Sequence, residues 1–304
     1  MIRITGCLTA LIIISGIGLN AAVCKWNAPT GKWDDAANWE NGQIPGKNDA
    51  VLFEGEGVIK VFIEKPVSVQ SLKVAESSVV HIEQKSDVTV SGDFITEKKT
   101  FERGSSSVIL TGNGRLKGIF FNKIMMAGAG RTTTLLSSIY PFAVELGGGT
   151  LNGEKTGITF YNDTPELKGF DSSTVNIGYV SLRPTKDCFI ELPSIKISGE
   201  LFLDSYGAKS VFSAKKLLQA DKGISLRGDN GGISILEING GTVNSAFIKA
   251  GVMDKNNAAQ LRLFSGTLAL TGGIYIYNDK SSLVRAEDFP LPVIKYNKGS
   301  ISVE

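Results

Sequence analysis

The chain has 304 residues, of which 42% are hydrophobic and 20% are charged, and its formal net charge is +2. These values are typical of a folded protein and exclude a disordered chain. Positive and negative residues are interspersed, which argues against a nucleic-acid partner. Glycine is abundant, with 35 residues against 9 prolines, but it lacks the three-residue period of collagen. This composition favours many short strands joined by tight turns.

The first 22 residues are organised like an export signal. Arg3 provides a positive start, residues 8–19 form an apolar core, and residues 20–22 form a small-residue exit. The apolar core is too short to span a bilayer comfortably, and no later segment has enough consecutive apolar residues to do so. We therefore predict a signal peptide over residues 1–22, followed by one secreted domain over residues 23–304 with no membrane span.

Three cysteines are present, and Cys7 lies within the predicted signal. The remaining pair, Cys24 and Cys188, fits either a disulfide formed in an oxidising compartment or two free thiols. Cys24 closely follows the apolar core, so a lipoprotein is an alternative. Val23, however, is a poor match to the small residue that normally precedes a lipidated cysteine.

Residues 26–53 are dense in Trp, Asn, Asp, Gly and Pro and have no helical period, which is typical of turns that hold aromatic anchors. The segment resembles the opening of many secreted bacterial surface proteins that are built from autotransporter-associated β-strand repeats, and of adhesin-like β-helices. This resemblance implies a bacterial protein that is secreted or located at the cell surface. The positions that carry it are Trp26, Gly31, Trp33, Asp35, Asn38, Trp39, Gly42, Pro45, Asp49 and Phe53.

All three tryptophans lie in this segment, and two roles are open for them. If exposed, the rings of Trp26, Trp33 and Trp39 would form a platform that stacks on sugars. If buried, they would close the end of a stack of strands. Because such an end leaves apolar surface and backbone groups uncovered, we favour an N-terminal cap over residues 26–53. The platform instead predicts that Trp33 or Trp39 is more than half exposed.

Apolar residues alternate from residue 51 onwards in runs of about five residues, which predicts short strands. One such run contains Val58, Val61 and Ile63. The charged and serine-rich residues 96–107 interrupt the pattern and predict an exposed loop or, alternatively, a linker. Residues 213–223 are the best helix candidate, although a strand and a turn also fit them.

One eight-residue pattern recurs: apolar, any, apolar, any, any, Gly, Thr, apolar. It occurs at residues 144–151, 236–243 and 261–268. The last two copies begin 25 residues apart, and the 92 residues between the first two divide into four periods of 23. Such self-similarity predicts stacked coils. The predicted fold is therefore all-β, a single-stranded parallel β-helix or β-solenoid of the pectin-lyase-like type, with an antiparallel β-sandwich as the alternative.

No catalytic constellation stands out in the sequence. His81 is the only histidine and lies in a strand pattern, and the adjacent Asp34 and Asp35 would point to opposite sides of an extended chain. No residues have convincing metal-ligand spacing. We therefore expect no metal, no cofactor and no enzymatic activity.

These observations, together with the resemblance, predict a non-catalytic, extracellular or cell-surface protein that is structural and adhesin-like. Its expected partner is a polysaccharide or another cell-surface component. A carbohydrate-binding module that uses Trp26, Trp33 and Trp39 is one alternative. A polysaccharide lyase or hydrolase is another, and it predicts carboxylates, or a carboxylate with Lys or Arg, converging on one sheet face.

Overall fold

The computed structural model describes residues 22–96, 101–102, 105–169, 173–251, 258–277, 280–285, 287, 294–296 and 300–303. The predicted signal peptide, apart from Ala22, lies outside the described residues. Within them the chain is nearly all β, as predicted, and its only helix is the 3-10 helix η1 (Ala36–Asn38). No helix in this described part is long and apolar enough to cross a membrane.

Short strands follow one another along the whole described chain. In chain order they are β1 (Val23–Lys25), β2 (Thr30–Lys32), β3 (Ala50–Phe53), β4 (Val58–Ile63), β5 (Val67–Val69), β6 (Ser71–Val74), β7 (Val79–Gln84), β8 (Val88–Val90), β9 (Phe94–Ile95), β10 (Phe101–Glu102), β11 (Ser107–Leu110), β12 (Gly114–Lys117), β13 (Phe120–Ala127), β14 (Thr132–Leu135), β15 (Tyr140–Gly147), β16 (Thr150–Asn162), β17 (Glu166–Lys168), β18 (Thr174–Pro184), β19 (Cys188–Glu191), β20 (Ile195–Ile197), β21 (Glu200–Tyr206), β22 (Lys209–Ala214), β23 (Leu217–Ala220), β24 (Gly223–Asp229), β25 (Ile233–Ala250), β26 (Ala258–Ile276), β27 (Ser282–Arg285), β28 (Ile294–Tyr296) and β29 (Ser300–Val303).

The strands wind into a solenoid with three faces. The first face begins with β1, β3, β6 and β9, and the third begins with β5, β8 and β11. The second face begins with β2, β4, β7 and β10, and continues through the later parts of β16 and β18 to β21, β24 and the ends of β25 and β26. The longest strands bend around corners and so serve more than one face.

All pairings between the named strands are parallel, so the predicted β-solenoid is confirmed and the antiparallel sandwich is wrong. Among the described residues, the one antiparallel contact is an isolated bridge between Trp26 and Trp39. Parallel stacking has a simple cause: each coil leaves one row of backbone groups facing the next coil, which pairs with them in the same direction.

The interior is filled by columns of apolar side chains that stack in register from coil to coil. On the first face, one column runs through Cys24, Val51, Leu72, Phe94, Leu116 and Leu135, all of them buried. The alternation along each strand turns every second residue inward, which produces these columns. Val58 is an exception to the predicted inward run, because it lies outside beside Val79 while Ile59 takes the buried position.

The recurring eight-residue pattern is a coil-to-coil repeat. Leu236 pairs with Leu261, and Thr242 pairs with Thr267. Four register steps lead from Leu151 through Val175, Ile197 and Ala220 to Ser245, in agreement with the predicted number of periods. Coil length varies slightly around the predicted mean because the corners differ.

The repeat glycine is required by close approach of neighbouring coils. A Cβ on Gly149, Gly241 or Gly266 would lie 2.6, 2.3 or 2.1 Å from a carbonyl oxygen of the preceding coil. No side chain fits at such distances. The glycine in the pattern is therefore part of how the coils stack rather than a ligand position.

The structure tests three local predictions: a helix, an exposed loop and a disulfide. The helix candidate at residues 213–223 is wrong as a helix, since Leu217–Ala220 forms β23 and stacks between β20 and β25. Within residues 96–107, the described part includes β10, which pairs with β7 on the second face; residues 97–100 and 103–104 lie outside the described residues. Cys24 and Cys188 are both free, so the disulfide alternative is wrong, and Cys7 lies outside the described residues.

Candidate functional site

The three tryptophans lie together in the core at the N-terminal end of the solenoid. Trp26 is 4% exposed, and Trp33 and Trp39 are each 2% exposed. The ring of Trp39 makes edge contacts with both other indoles at centroid distances of 5.0 Å, and all three rings pack against Phe53. The sugar-stacking platform, which required Trp33 or Trp39 to be more than half exposed, is therefore wrong. The tryptophans cover the first coil of the core, in agreement with a cap.

The remaining motif residues of the cap have local structural roles. Asp35 caps η1 by accepting a hydrogen bond from the Ala37 amide, and Asn38 donates one from Nδ2 to the Lys32 carbonyl oxygen at 2.8 Å. Gly31 leaves room for the Asn38 side chain, and Gly42 has a φ of 63°. Local folding thus accounts for these four motif residues.

The acidic pair and the histidine do not form a reactive group. Asp34 forms an ion pair with Lys65, whereas Asp35 is engaged in the cap of η1. His81 is half-buried on β7, paired with Lys60 of β4. In the described part of the chain, no group of three or more His, Cys, Asp or Glu side chains is arranged to hold a metal ion.

A different region gathers aromatic and charged side chains on the outer side of the second face. Between residues 157 and 277, this face or its edge includes five of the protein's seven tyrosines: Tyr161, Tyr179, Tyr206, Tyr275 and Tyr277. Successive coils place Thr159, Ser181, Phe202, Ser225, Lys249 and Tyr275 in one outward column. We call the outer side of residues 157–277 on the second face the tyrosine face.

The centre of the tyrosine face is an arginine held between two tyrosines. The guanidinium carbon of Arg183 lies 5.4 Å from the ring centroid of Tyr161 and 4.8 Å from that of Tyr206. The two rings are 5.9 Å apart in an edge arrangement. Arg183 also donates from Nη2 to Asp229 Oδ2 at 2.5 Å. Cation–π contacts and the ion pair together fix the side chain that the backbone alone leaves free.

A second, more buried ion pair lies beside this cluster. Arg227 donates from Nε and Nη2 to the two carboxylate oxygens of Asp204, each at 2.5 Å, and Ser181 Oγ lies 3.3 Å from the same carboxylate. The Arg227 guanidinium carbon lies 4.4 Å from the Phe202 ring centroid. Burial raises the pKa of Asp204, while Arg227 opposes that shift by stabilising the ionised form.

Two glycines allow aromatic rings to lie flat against the sheet. A Cβ on Gly157 would be 2.4 Å from ring atoms of Tyr179 in the next coil, and a Cβ on Gly223 would be 2.1 Å from the ring of Phe247. The rings occupy the space that these glycines leave open. Lys249 then extends over the Phe247 ring, with Nζ 3.9 Å from its centroid.

Sequence reasoning missed this face, although a signal for it was present. Tyr161 and Arg183 are 22 residues apart and pair in register, as do Tyr206 and Asp229, which are 23 apart. Aligning the sequence at the coil period would have brought these residues into adjacent rows. The tryptophans were the more conspicuous aromatic residues, and they belong to the core.

No protein-family description, curated protein or solved structure matches this chain. The fold and the side chains themselves define its class, a parallel β-solenoid with an aromatic N-terminal cap and a tyrosine-rich outer face.

Proposed function

We propose that the protein is a non-catalytic, extracellular, adhesin-like β-solenoid that contacts a cell-surface component through its tyrosine face. The observation that carries this proposal is the gathering of tyrosine rings around Arg183 on one outer face, where Tyr161 is 45% exposed. Tyrosine and arginine are enriched in protein binding sites, because each combines apolar contact area with hydrogen-bonding groups.

The non-catalytic part of the proposal is supported by how the charged groups are engaged. The Asp204 side chain is only 5% exposed, and both of its oxygens accept hydrogen bonds from Arg227. Arg183 is held by two rings and Asp229. A general acid or base must reach the proton that it transfers, and Asp204 is covered by its own neighbours.

The extracellular part is supported by the export-signal pattern of residues 1–22 and by the resemblance of residues 26–53 to bacterial surface proteins. Burial of Cys24, which is 7% exposed and pairs with Val51, favours a secreted chain over a lipoprotein. If its sulfur carried a lipid, the Cys24 side chain could not remain in the buried column in which it lies.

The proposal is tested by expressing the full chain in a Gram-negative bacterium and locating it by fractionation and mass spectrometry. We expect export and cleavage near residue 22. The exported chain is then incubated with bacterial cell envelopes and with purified polysaccharides, and both retention and release of reducing ends are measured. Binding to envelopes or polysaccharides without release of reducing ends supports the proposal. Retention of the chain in the cytoplasm, or release of sugar fragments, would contradict it.

A polysaccharide lyase or hydrolase is the second candidate, and one observation favours it. Asp204, Asp229, Arg183 and Arg227 converge on one sheet face, which is the arrangement that an enzyme of this architecture requires. The same incubation separates the two candidates. An enzyme would release fragments, and Asp229→Asn would abolish that release while leaving the unfolding temperature unchanged.

A further inference from the structure

We propose that the tyrosine face binds a neutral polysaccharide in an extended conformation, with the sugar chain running along the solenoid axis. This inference rests on the proposed function and names the chemical class of its ligand.

Aromatic side chains recur on successive coils of this face. Tyr161, Tyr179 and Tyr206 belong to three consecutive coils, and Phe247 and Tyr275 belong to two later adjacent ones. Neighbouring strands in a sheet are about 4.8 Å apart, so the five coil steps from Tyr161 to the coil of Tyr275 span about 24 Å. This coil rise is close to the length of one sugar unit in an extended chain. The rings lie in more than one column, because Tyr179 pairs with Gly157 whereas Tyr161 pairs with Arg183, four residues further along the strand. A polysaccharide along the axis therefore crosses a band of rings rather than a single row.

Both kinds of surface on a sugar have a partner on this face. The C–H faces of a pyranose ring pack on tyrosine rings, and Tyr161 offers a ring that is 45% exposed. Hydroxyl groups at the ring edge require charged or polar partners, and the Asp229 side chain beside them is 48% exposed. Asp229 is held in place by Arg183, so it presents a fixed acceptor.

The charges of the tyrosine face favour a neutral ligand over an anionic one. The cations Arg183 and Arg227 are each paired with a carboxylate, from Asp229 and Asp204. Lys249 lies over the Phe247 ring, and Glu200 accepts a hydrogen bond from Ser225. Because these cations and anions are equal in number, an acidic polysaccharide gains no net attraction and meets carboxylates of its own sign.

The rings are also held before any ligand arrives. Tyr179 lies in the space above Gly157, and Phe247 lies above Gly223. Tyr179 donates from its hydroxyl to Ser138 Oγ at 3.3 Å. Side chains that are already fixed lose less conformational entropy on binding, which favours affinity for a ligand with few strong contacts.

The test is affinity electrophoresis of the secreted chain in gels that contain a soluble neutral β-glucan, with polygalacturonate as the anionic comparison. We expect retardation by the neutral polymer only. Tyr161→Ala and Tyr206→Ala should each weaken binding about tenfold, a loss typical of an aromatic residue that is important for binding. Phe189→Ala is the matched control, because Phe189 is 57% exposed on the third face, and its affinity should be unchanged. Circular dichroism verifies that all three variants are folded.

Several outcomes would overturn the inference. These are retardation by polygalacturonate alone, no retardation by either polymer, or equal affinity of Tyr161→Ala and Phe189→Ala. Concentration-dependent self-association that Tyr206→Ala abolishes would mean that a second copy of the chain occupies the face. The proposed function fails separately, through release of sugar fragments or failure to be exported. If the chain binds cell envelopes but not neutral glucan, the proposed function is supported and the inferred ligand is wrong.

Discussion

The tryptophan cap and the tyrosine face use the same type of contact but differ in burial. In the cap, Trp33 and Trp39 are each 2% exposed and pack on Phe53. On the tyrosine face, Tyr161 is 45% exposed even though its ring lies 5.9 Å from that of Tyr206. The cap covers an end where the core would otherwise meet water, whereas the tyrosines lie outside a sheet whose inner side is already packed. Ring pairing alone therefore does not distinguish a structural cluster from a binding surface; position on the solenoid does.

The largest expected effect is the loss of a cap ring. Trp39→Ala removes the indole that contacts both other tryptophans and donates to the Trp33 carbonyl oxygen at 2.9 Å. Because the cavity opens in the core, the free energy of unfolding should fall by about 3–5 kcal/mol. Urea unfolding followed by circular dichroism measures the loss. Trp39→Phe, which keeps an aromatic ring, should lose clearly less. A loss below about 1 kcal/mol for Trp39→Ala would mean that the cap does not stabilise the solenoid.

An intermediate loss of stability is expected when Gly157, which lies beneath the Tyr179 ring, is replaced. Gly157→Ala places a methyl group 2.4 Å from the ring of Tyr179, so the ring must leave its position. Overpacking of this kind costs about 1–3 kcal/mol of unfolding free energy. The double variant Gly157→Ala with Tyr179→Ala should recover most of this loss, since the clashing ring is gone.

The control for that change is Gly46→Ala in the cap region, where the nearest atom to a new Cβ is Asp49 Oδ2 at 3.6 Å. This is an ordinary contact, and stability should change by less than about 0.5 kcal/mol. If Tyr179→Ala does not restore the stability lost in Gly157→Ala, that loss comes from strain in the backbone rather than from a clash with the ring. The result would then contradict the proposal that Gly157 holds Tyr179 in place for binding.

Much of the fold could be predicted from the sequence because each coil of a solenoid repeats the same pattern of inward and outward residues at a nearly constant spacing. Alternation gave the inward columns, and the spacing of Leu236 and Leu261 matches one coil. The burial of Trp39 could also be predicted, since it follows from the need to cover an end. These features depend on local pattern or on short-range stacking, both of which are visible in one chain.

The tyrosine face was not predicted, and the reason is physical. Arg183 contacts Tyr206 of the next coil and Asp229 of the coil after that, so the cluster exists only once three coils are in register. Alternation places Tyr161 outward beside the inward Phe160, but it does not indicate which rings and charges of other coils an outward tyrosine will contact. The exact coil lengths decide which side chains meet, and these lengths vary at the corners.

A smaller effect is expected for the pH dependence of stability at Asp204. Its folded-state pKa is raised by burial above that of the unfolded chain, about 4. The stabilising contribution of its titration is therefore complete below the unfolded pKa and is lost as pH rises through the folded pKa. Relative to Asp204→Asn, the wild-type protein should lose stability as pH rises from the unfolded pKa through the folded pKa.

Urea unfolding of both proteins across that pH range measures the difference. The pKa of Asp34, Glu64, Asp93 and Asp163 is lowered by cationic partners, which gives the opposite pH dependence. These residues are present in both proteins, so their contributions cancel. Asp93→Asn is the matched control. Because the folded-state pKa of Asp93 is lowered, its contribution is already complete above the unfolded pKa, so the stability difference between wild type and Asp93→Asn should stay constant over that pH range. A difference between wild type and Asp204→Asn that does not vary with pH would contradict the role assigned to burial.

The smallest effect on stability is expected at the rings of the tyrosine face, and this prediction separates the two aromatic clusters most directly. Tyr206→Ala removes a ring that contacts Arg183 and Tyr161 on the outer side of the sheet. At the low end of their ranges, the cation–π contact and the ring pair are worth about 0.5 kcal/mol each, so the loss should be about 1 kcal/mol in the same urea experiment. A loss as large as that of Trp39→Ala would make Tyr206 a structural residue, and the tyrosine face would then be a second means of holding coils together. A small loss of stability combined with a large loss of binding is the result that identifies it as a surface kept for a partner.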